Sequence, residues 1–377
     1  MLLLKRKEGF ELLPLEGIKV LDLTNLLPGP FSTMIFAELG AEVIKVERPG
    51  IGDGAREVAG LFEAINRGKK SITLDLKNNE DKKKLSALIE ESDVMIEGFR
   101  PGVMERLGFL KDKVKTINPR IIYCSISGYG QEGPYRNLPG HDINYLAVSG
   151  ILSISGDPKG KPEAAGGIQV ADLGSAMYAV NSVLAALLLR EKTNEGTYID
   201  VSMTDCALSL MAPRINEYVN RNNPSKQNFM GRGAYGAYKT KDNKYIAIGC
   251  VEEHFWHKLC DVLNVEKLKS NKKFEGWHNR MEHADEINAI LNKKFLLKNR
   301  SEWLELMIIE DIPCAPVNFI EELLEDPHLA YRGIIKKDEN SDNLIITHPV
   351  KFTSFEVRSN SDVPTVGEHN SLIKNPL

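Results

Sequence analysis

Five short β-branched runs, GIKVLDL (17–23), AEVIKVE (41–47), SITLDL (71–76), DVMIEG (93–98) and RIIYCSI (120–126), alternate with helix-patterned segments such as FSTMIFAELG and EDKKKLSALIEES. A strand that must return to lie parallel to its predecessor needs a crossover of a dozen residues or more, and a helix supplies it. The alternation therefore predicts an α/β fold, a parallel sheet covered by helices, over residues 1–220. The apolar stretch LGSAMYAVNSVLAALLLREK (173–192) predicts a long helix, NEGTYIDVSM (194–203) a further strand, and DCALSLMAPRINEYVN one more helix. The polar, Gly-rich tract RNNPSKQNFMGRGAYG (221–236) has the composition of an exposed loop or linker and places a domain boundary there. Beyond it, the strand KYIAIG (244–249) and helices across HFWHKLCDVL and SEWLELMIIE predict a smaller α+β domain over 221–330. A C-terminal segment, 331–377, then returns to the large domain.

The first strand-to-helix junction reads LDLTNLLPGPFSTMIFAELG, where a dinucleotide-binding domain would carry GxGxxG to bring a pyrophosphate onto a helix N-terminus. Without it, NAD and FAD are not expected, and the sheet must serve another ligand. Forty-eight basic against 52 acidic side chains give a formal net charge of −4, so there is no chain-wide basic field to hold nucleic acid. The N-terminal MLLLKRKEGFELLPLEG is too short in apolar residues for a signal-peptide core, and no apolar run elsewhere reaches membrane-spanning length. These features predict a cytoplasmic chain with no membrane segment. Five cysteines without CxxC spacing, Cys124, Cys206, Cys250, Cys260 and Cys314, read as ordinary buried thiols.

Candidate chemistry gathers at strand ends. Arg48, Arg67, Lys69, Lys70, Arg100 and Arg106 fall just after predicted strands or in the adjoining loops. Open α/β sheets bind ligands at the carboxyl ends of their strands, where such cations suit phosphate, although spacing alone favours ordinary surface charge. In GHDINYLAVSGIL (140–152), Gly140 gives backbone freedom, His141 titrates near neutrality, and Asp142 stands where it could cap the next helix. Asp172 stands at the mouth of the long apolar helix, either as an N-cap or as a carboxyl group suited to acid–base work. Glu252, Glu253, His254 and His257 lack HExxH spacing and do not predict a metal site.

Together, VLDL…GP, ELGAEVIKVERP, NRGKKSITLDLK, EGFRPGVMERLG and SGYGQEGPY resemble the family III CoA-transferase superfamily (CaiB/BaiF-like) over nearly the whole chain. GHDINYLAVSG and GCVEEHFW are most similar to its α-methylacyl-CoA racemase branch. The resemblance implies an interlocked homodimer with the active site shared between subunits and an acyl-CoA thioester as substrate. It also implies His141 and Asp172 as the two bases and Glu252 as a carboxylate supporting the histidine in trans, from the other subunit. CoA contacts would fall on Arg48, Arg100, Arg106, Gly140, Asp142 and Tyr145, with no metal or organic cofactor. The implied reaction is 1,1-proton transfer at the α-carbon of a 2-methyl-branched acyl-CoA. The alternative is CoA transfer between carboxylic acids through an Asp172 acyl anhydride. Isolated Gly231, Gly233 and Gly236, in place of the consecutive glycine run of transferases, favour the racemase at this stage.

Overall fold

The computed structural model describes residues 12–164, 167–338, 343–359 and 361–373. The first eleven residues, on which the reading of the N-terminus rests, lie outside them. The chain forms two compact units. Unit 1 comprises residues 1–152, 164–212 and 330–377, and unit 2 comprises 153–163 and 213–329.

Unit 1 is built on six parallel strands: β1 (Lys19–Leu23), β2 (Glu42–Glu47), β3 (Lys70–Thr73), β4 (Val94–Glu97), β5 (Ile122–Ser127) and β6 (Thr197–Ser202). Their order is β3-β2-β1-β4-β5-β6. The chain first winds outward from β1 to β3, then crosses back to place β4 on the other side of β1. That reversal between β1 and β4 is the switch point at which the strand-end loops part and leave a crevice. α1 (Pro28–Glu38) and the long α5 (Val170–Thr193) cover one face, where Val94, Ile96, Ile122, Cys124 and Ile126 pack on Phe36, Val180 and Val183. α2 (Asn79–Glu90) and α3 (Lys111–Ile117) cover the other through Leu85, Ile89 and Val114. Each such side chain, fully buried, contributes about 1.5–3 kcal/mol.

By length and composition alone α5 could cross a membrane, which corrects the reading that no apolar run reaches spanning length. Here it packs across β5, β6 and α1, and its last turn is held by buried Arg190, which pairs with Asp93 at 3.0 Å. Two glycines permit close passages in this unit. A Cβ at Gly29 would lie 2.2 Å from Thr24, and one at Gly196 would lie 2.0 Å from the Ile121 carbonyl oxygen. The C-terminal segment lies along β3: Asn370 Oδ1 accepts from the Thr73 N–H (2.8 Å), and the Gly367 N–H donates to Ser71 Oγ (2.9 Å).

The segment read as one helix after β6 is two, α6 (Met203–Leu210) and α7 (Ala212–Asn220). In unit 2 the tract read as an exposed loop holds a short helix, α8 (Lys226–Met230), and leads into β7 (Tyr235–Lys239). It is not simply exposed, because Phe229 and Ala234 within it are 2% and 0% exposed and anchor it to the core. β7 pairs antiparallel with β8 (Tyr245–Gly249), which pairs antiparallel with β9 (Cys314–Pro316). α9 (Glu253–Val262), α10 (Trp277–Glu282), α11 (Ala284–Phe295) and α12 (Arg300–Ile309) accompany this sheet, and their core centres on Trp256, Phe295 and Trp303.

Candidate active site

At the switch point of unit 1 the loops after β1, β4 and β5, together with the first turn of α5, enclose a cavity of about 490 Å³. Thr24 to Leu26 with Pro28 and Gly29, Gly98 to Pro101, and Gly128, Tyr129, Arg136, Leu138 to His141, Asn144 and Tyr145 supply its walls, and Asp172 joins them from α5. The β1–α1 loop is held in shape from below. The Leu26 N–H donates to Asp53 Oδ1 (2.9 Å), which fixes Leu26 in the left-handed region at φ 65°. Lys45 Nζ donates to the Thr24 carbonyl (2.8 Å) and pairs with Asp53 at 2.7 Å.

Beneath that loop lies a fully buried charge cluster. Lys69 Nζ bonds Asp22 Oδ2 (3.1 Å), the Pro30 carbonyl (2.8 Å) and Asn66 Oδ1 (2.7 Å). Burial opposes ionisation of Asp22, but Lys45, Lys69 and the hydroxyls of Thr24 and Thr33 outweigh it and hold the carboxyl well below its usual range. Burial pushes Lys69 down to about 7, with Asp22 opposing the fall. This corrects the reading of six strand-end cations. Lys69 is spent inside the protein, as is Arg67, which pairs with Glu38 and donates to the Ala64 carbonyl, and Lys70 pairs with Glu42.

The GHDINY segment opens α4 (Asp142–Val148). The ring of Tyr145 fits between two glycines: a Cβ on Gly128 would sit 2.5 Å from it and one on Gly140 2.7 Å. Its hydroxyl donates to the Gly140 carbonyl (2.7 Å), and burial, then the neighbouring Asp172, pushes its pKa to about 12. Gly140 is therefore needed for contact with this ring. His141 is the N-cap of α4; its backbone N–H donates to Asn144 Oδ1 (3.0 Å), which takes that donor away from any oxyanion, and its imidazole is exposed on the cavity wall.

Asp142 does not cap its own helix. Its Oδ1 accepts from the backbone N–H groups of Ala171 (2.8 Å) and Asp172 (3.1 Å), so it caps α5 from outside. Asp172 is the third residue of α5 and is relieved of capping. Its carboxyl, mostly removed from water and close to the charge of Asp142, has its pKa raised to about 7, burial being the larger cause.

His141, Asp172, Gly140, Tyr145 and Arg100 thus line one cavity, and Asp142 supports it from behind. Arg48, in the loop after β2, and Arg106, in a short helical turn after β4, are exposed and do not line it. Glu252 lies in unit 2 as the exposed N-cap of α9; its neighbour Glu253 is engaged with Arg280 and with His257 at 3.3 Å. Arg136 and Tyr129, which also line the cavity, were not singled out in the sequence. Arg136 stands five residues before His141 in YRNLPGH, a spacing that carries no motif. Burial pushes the thiol of Cys206 up to about 11 and those of Cys250 and Cys260 to about 12, which leaves none of them as an activated nucleophile.

A raised carboxyl, a Gly-cradled tyrosine and an arginine thus meet in a cavity at the switch point of the sheet, where ligands of open α/β folds bind. The family model for CoA-transferase family III matches residues 15–370, and the chain belongs to that family. It is 33% identical to the human succinyl-CoA:glutarate CoA-transferase, over 96% of this chain and 85% of the relative. It is 34% identical to the acetyl-CoA:oxalate CoA-transferase of Acetobacter aceti, over 91% of this chain and 90% of the relative. A solved CaiB/BaiF family protein from Brucella suis superposes with a TM-score of 0.85 at 30% identity, covering 96% of this chain and 98% of that one. Both named relatives are transferases, which shifts the weight from the racemase reading to its alternative. Two of the three glycines that had favoured the racemase, Gly231 and Gly233, have a packing explanation within unit 2, whereas a Cβ on Gly236 would meet nothing within 4 Å. A Cβ on Gly233 would lie 2.6 Å from the Arg280 carbonyl oxygen, and one on Gly231 would press on two more carbonyls at 3.1 and 3.2 Å.

Proposed function

We propose that this enzyme transfers CoA from an acyl-CoA to a free carboxylic acid, with Asp172 as the nucleophile. The observation that carries the reading is the Asp172 carboxyl itself, free of capping duty, raised to about 7 and facing the cavity. Such a group is ionised in good part at neutral pH, yet is more basic, and so more nucleophilic, than an ordinary aspartate. One of its oxygens attacks the thioester carbonyl, the C–S bond breaks with its electron pair leaving on sulfur, and the acyl group stays on Asp172 as a mixed anhydride. The thiolate then attacks the aspartyl carbonyl, expelling the first acid and leaving a CoA thioester on Asp172. The acceptor carboxylate displaces this thiolate to form a second anhydride, and the thiolate attacks the acceptor's acyl carbon to give the new acyl-CoA and regenerate Asp172. The activation passes from the donor acyl group to Asp172 and then to the acceptor without being lost to water, so the reaction calls for no metal, NAD or FAD.

Arg100 supplies positive charge at the wall of the cavity, and the Tyr145 ring gives it a rigid floor. In this reading His141 is a wall residue and not an obligatory base. On the family resemblance, the working form we propose is a cytoplasmic homodimer in which Glu252 of one copy supports His141 of the other. The test is to incubate the enzyme with an acyl-CoA and hydroxylamine. Asp172 should be recovered as its hydroxamate by mass spectrometry, and Asp172→Ala should give none. Incubation of a chiral 2-methylacyl-CoA in deuterium oxide without an acceptor acid should leave the α-carbon unlabelled; rapid deuterium uptake, lost in His141→Ala, would restore the racemase.

A further inference from the structure

Two cations of the Asp172 cavity come from different loops of unit 1, Arg100 from the loop after β4 and Arg136 from the loop after β5. Both are exposed, and neither pairs with a carboxylate among the described residues. Between the two loops runs one chain of hydrogen bonds centred on Glu97, the last residue of β4, which is 3% exposed. Glu97 Oε2 accepts from the Phe99 N–H (2.7 Å), next to Arg100 in sequence. Its Oε1 accepts from the Ser125 hydroxyl on β5, and Ser125 Oγ accepts in turn from Gln131 Nε2 (2.7 Å) in the β5 loop. The Gln131 N–H donates to Asp200 Oδ2 on β6 (3.0 Å). Nearer to Arg136, the Tyr129 ring stands edge to face between those of Tyr135 (5.6 Å) and Tyr145 (5.2 Å), which ties that stretch of the loop to the cavity wall.

A carboxyl group at the position of Glu97 is costly. Burial pushes it up to about 7, against the donors Ser125 and Phe99, and the sheet itself needs no acid there. What the carboxyl does is join the two arginine loops. The same two arginines also face a second cavity of about 390 Å³, with Glu97 and Asp200 in its walls. Carboxylates already occupied by the chain of hydrogen bonds draw the guanidiniums less strongly into that second cavity, and so leave them to the first. The Tyr145 ring relates the pair to the reacting group. Burial is the main cause of its raised pKa, but the hydroxyl also feels Asp172, which adds to the rise, and Arg100, which opposes it. Carboxyl and guanidinium therefore flank one ring. Asp172 owes its own rise to burial and Asp142, with no opposing pull from either guanidinium, so the cations stand off from it and leave space for a substrate group.

We propose that Glu97 and Ser125 are positioning residues that hold Arg100 and Arg136 as a pair in the Asp172 cavity, and that the pair grips the reacting carboxylate of the acid that exchanges CoA. The inference rests on the transferase reading and assigns residues to its acid. Acetate labelled with carbon-13 in its carboxylate, the simplest probe of this group, is titrated against the full-length protein, and broadening of its resonance reads binding without turnover. Arg100→Met and Arg136→Met should each weaken acetate binding by about tenfold or more. Glu97→Met and Ser125→Ala leave both guanidiniums in the protein and should still weaken it by about fivefold. Glu97→Gln can accept from the Phe99 N–H and bond Ser125, and should stay within about twofold of wild type. CoA, titrated by calorimetry, should bind every variant within about twofold of wild type. That split, with rescue by glutamine, distinguishes positioning from a general loosening of unit 1, which would weaken both ligands. No broadening with wild type, no effect of the arginine substitutions, no effect of Glu97→Met and Ser125→Ala, equal weakening of acetate and CoA, or a loss confined to CoA, which would reassign the cations to its phosphates, each overturn the proposal. Failure of the transferase reading shows elsewhere, as an Asp172 that yields no hydroxamate while the acetate results stand; failure of this inference shows as a hydroxamate at Asp172 with acetate binding indifferent to the substitutions.

Discussion

Replacing Asp172 with asparagine should make the protein inactive and, at alkaline pH, more stable. Burial and Asp142 together raise the Asp172 carboxyl from an ordinary 3.8 to about 7, so the folded protein holds this proton more tightly than the unfolded chain does. Below about pH 4 the group is protonated in both states and costs nothing. As pH rises from there the unfolded chain ionises first and folding loses stability; the loss is complete once pH passes the folded pKa of about 7. At about 1.4 kcal/mol per pKa unit the full difference would be about 4 kcal/mol, which partial solvent access at the cavity mouth brings to roughly 2 kcal/mol. Asparagine does not ionise, so the gap between variant and wild type isolates this group from every other carboxyl. Urea unfolding should be followed by far-UV circular dichroism, because Trp256, Trp277 and Trp303 all lie in unit 2 and their fluorescence does not report on α5. The variant should match wild type at pH 4 and exceed it by roughly 2 kcal/mol at pH 8.5. A gap that does not change with pH, or a wild type more stable at pH 8.5, would refute the assignment of a strained carboxyl.

Asp142→Asn keeps an oxygen to accept the Ala171 and Asp172 N–H groups and removes the charge. The acid limb of the pH–rate profile, set by Asp172, should therefore move below 7, yet stay above about 5, because burial is the larger cause of the rise. Gly128→Ala places a Cβ 2.5 Å from the Tyr145 ring and should cost about 1–3 kcal/mol in thermal unfolding and weaken acyl-CoA binding, whereas Tyr145→Phe, which loses only the bond to Gly140, should cost about 1 kcal/mol. Lys69→Met strips Asp22 of its closer cation and should cost about 3–5 kcal/mol in urea unfolding, with Lys70→Met, at the exposed pair with Glu42, costing less than about 1 kcal/mol.

The contrast between Lys69 and Lys70 shows where sequence reading reaches its limit. All six strands of the main sheet were legible, because short β-branched runs alternate with helix-patterned segments long enough to return the chain for parallel pairing. Whether a cation beyond a strand faces ligand or protein depends on partners distant in sequence, such as Asp22 and Asn66 for Lys69, or Glu38 for Arg67, and no local pattern encodes those meetings. The same limit governs the capping of α5. Asp172 reads as a cap because of its place at the helix mouth, yet Asp142, thirty residues earlier, performs that task. That exchange bears on chemistry as well as on assignment. A carboxylate that accepted the helix N–H groups would be stabilised as the anion and made a poor nucleophile. By giving those donors to Asp142, the fold leaves Asp172 in a poorly solvated wall with a second carboxyl group nearby, and it is this division of labour between two aspartates that raises the pKa of one of them, the property on which the proposed nucleophilic role rests.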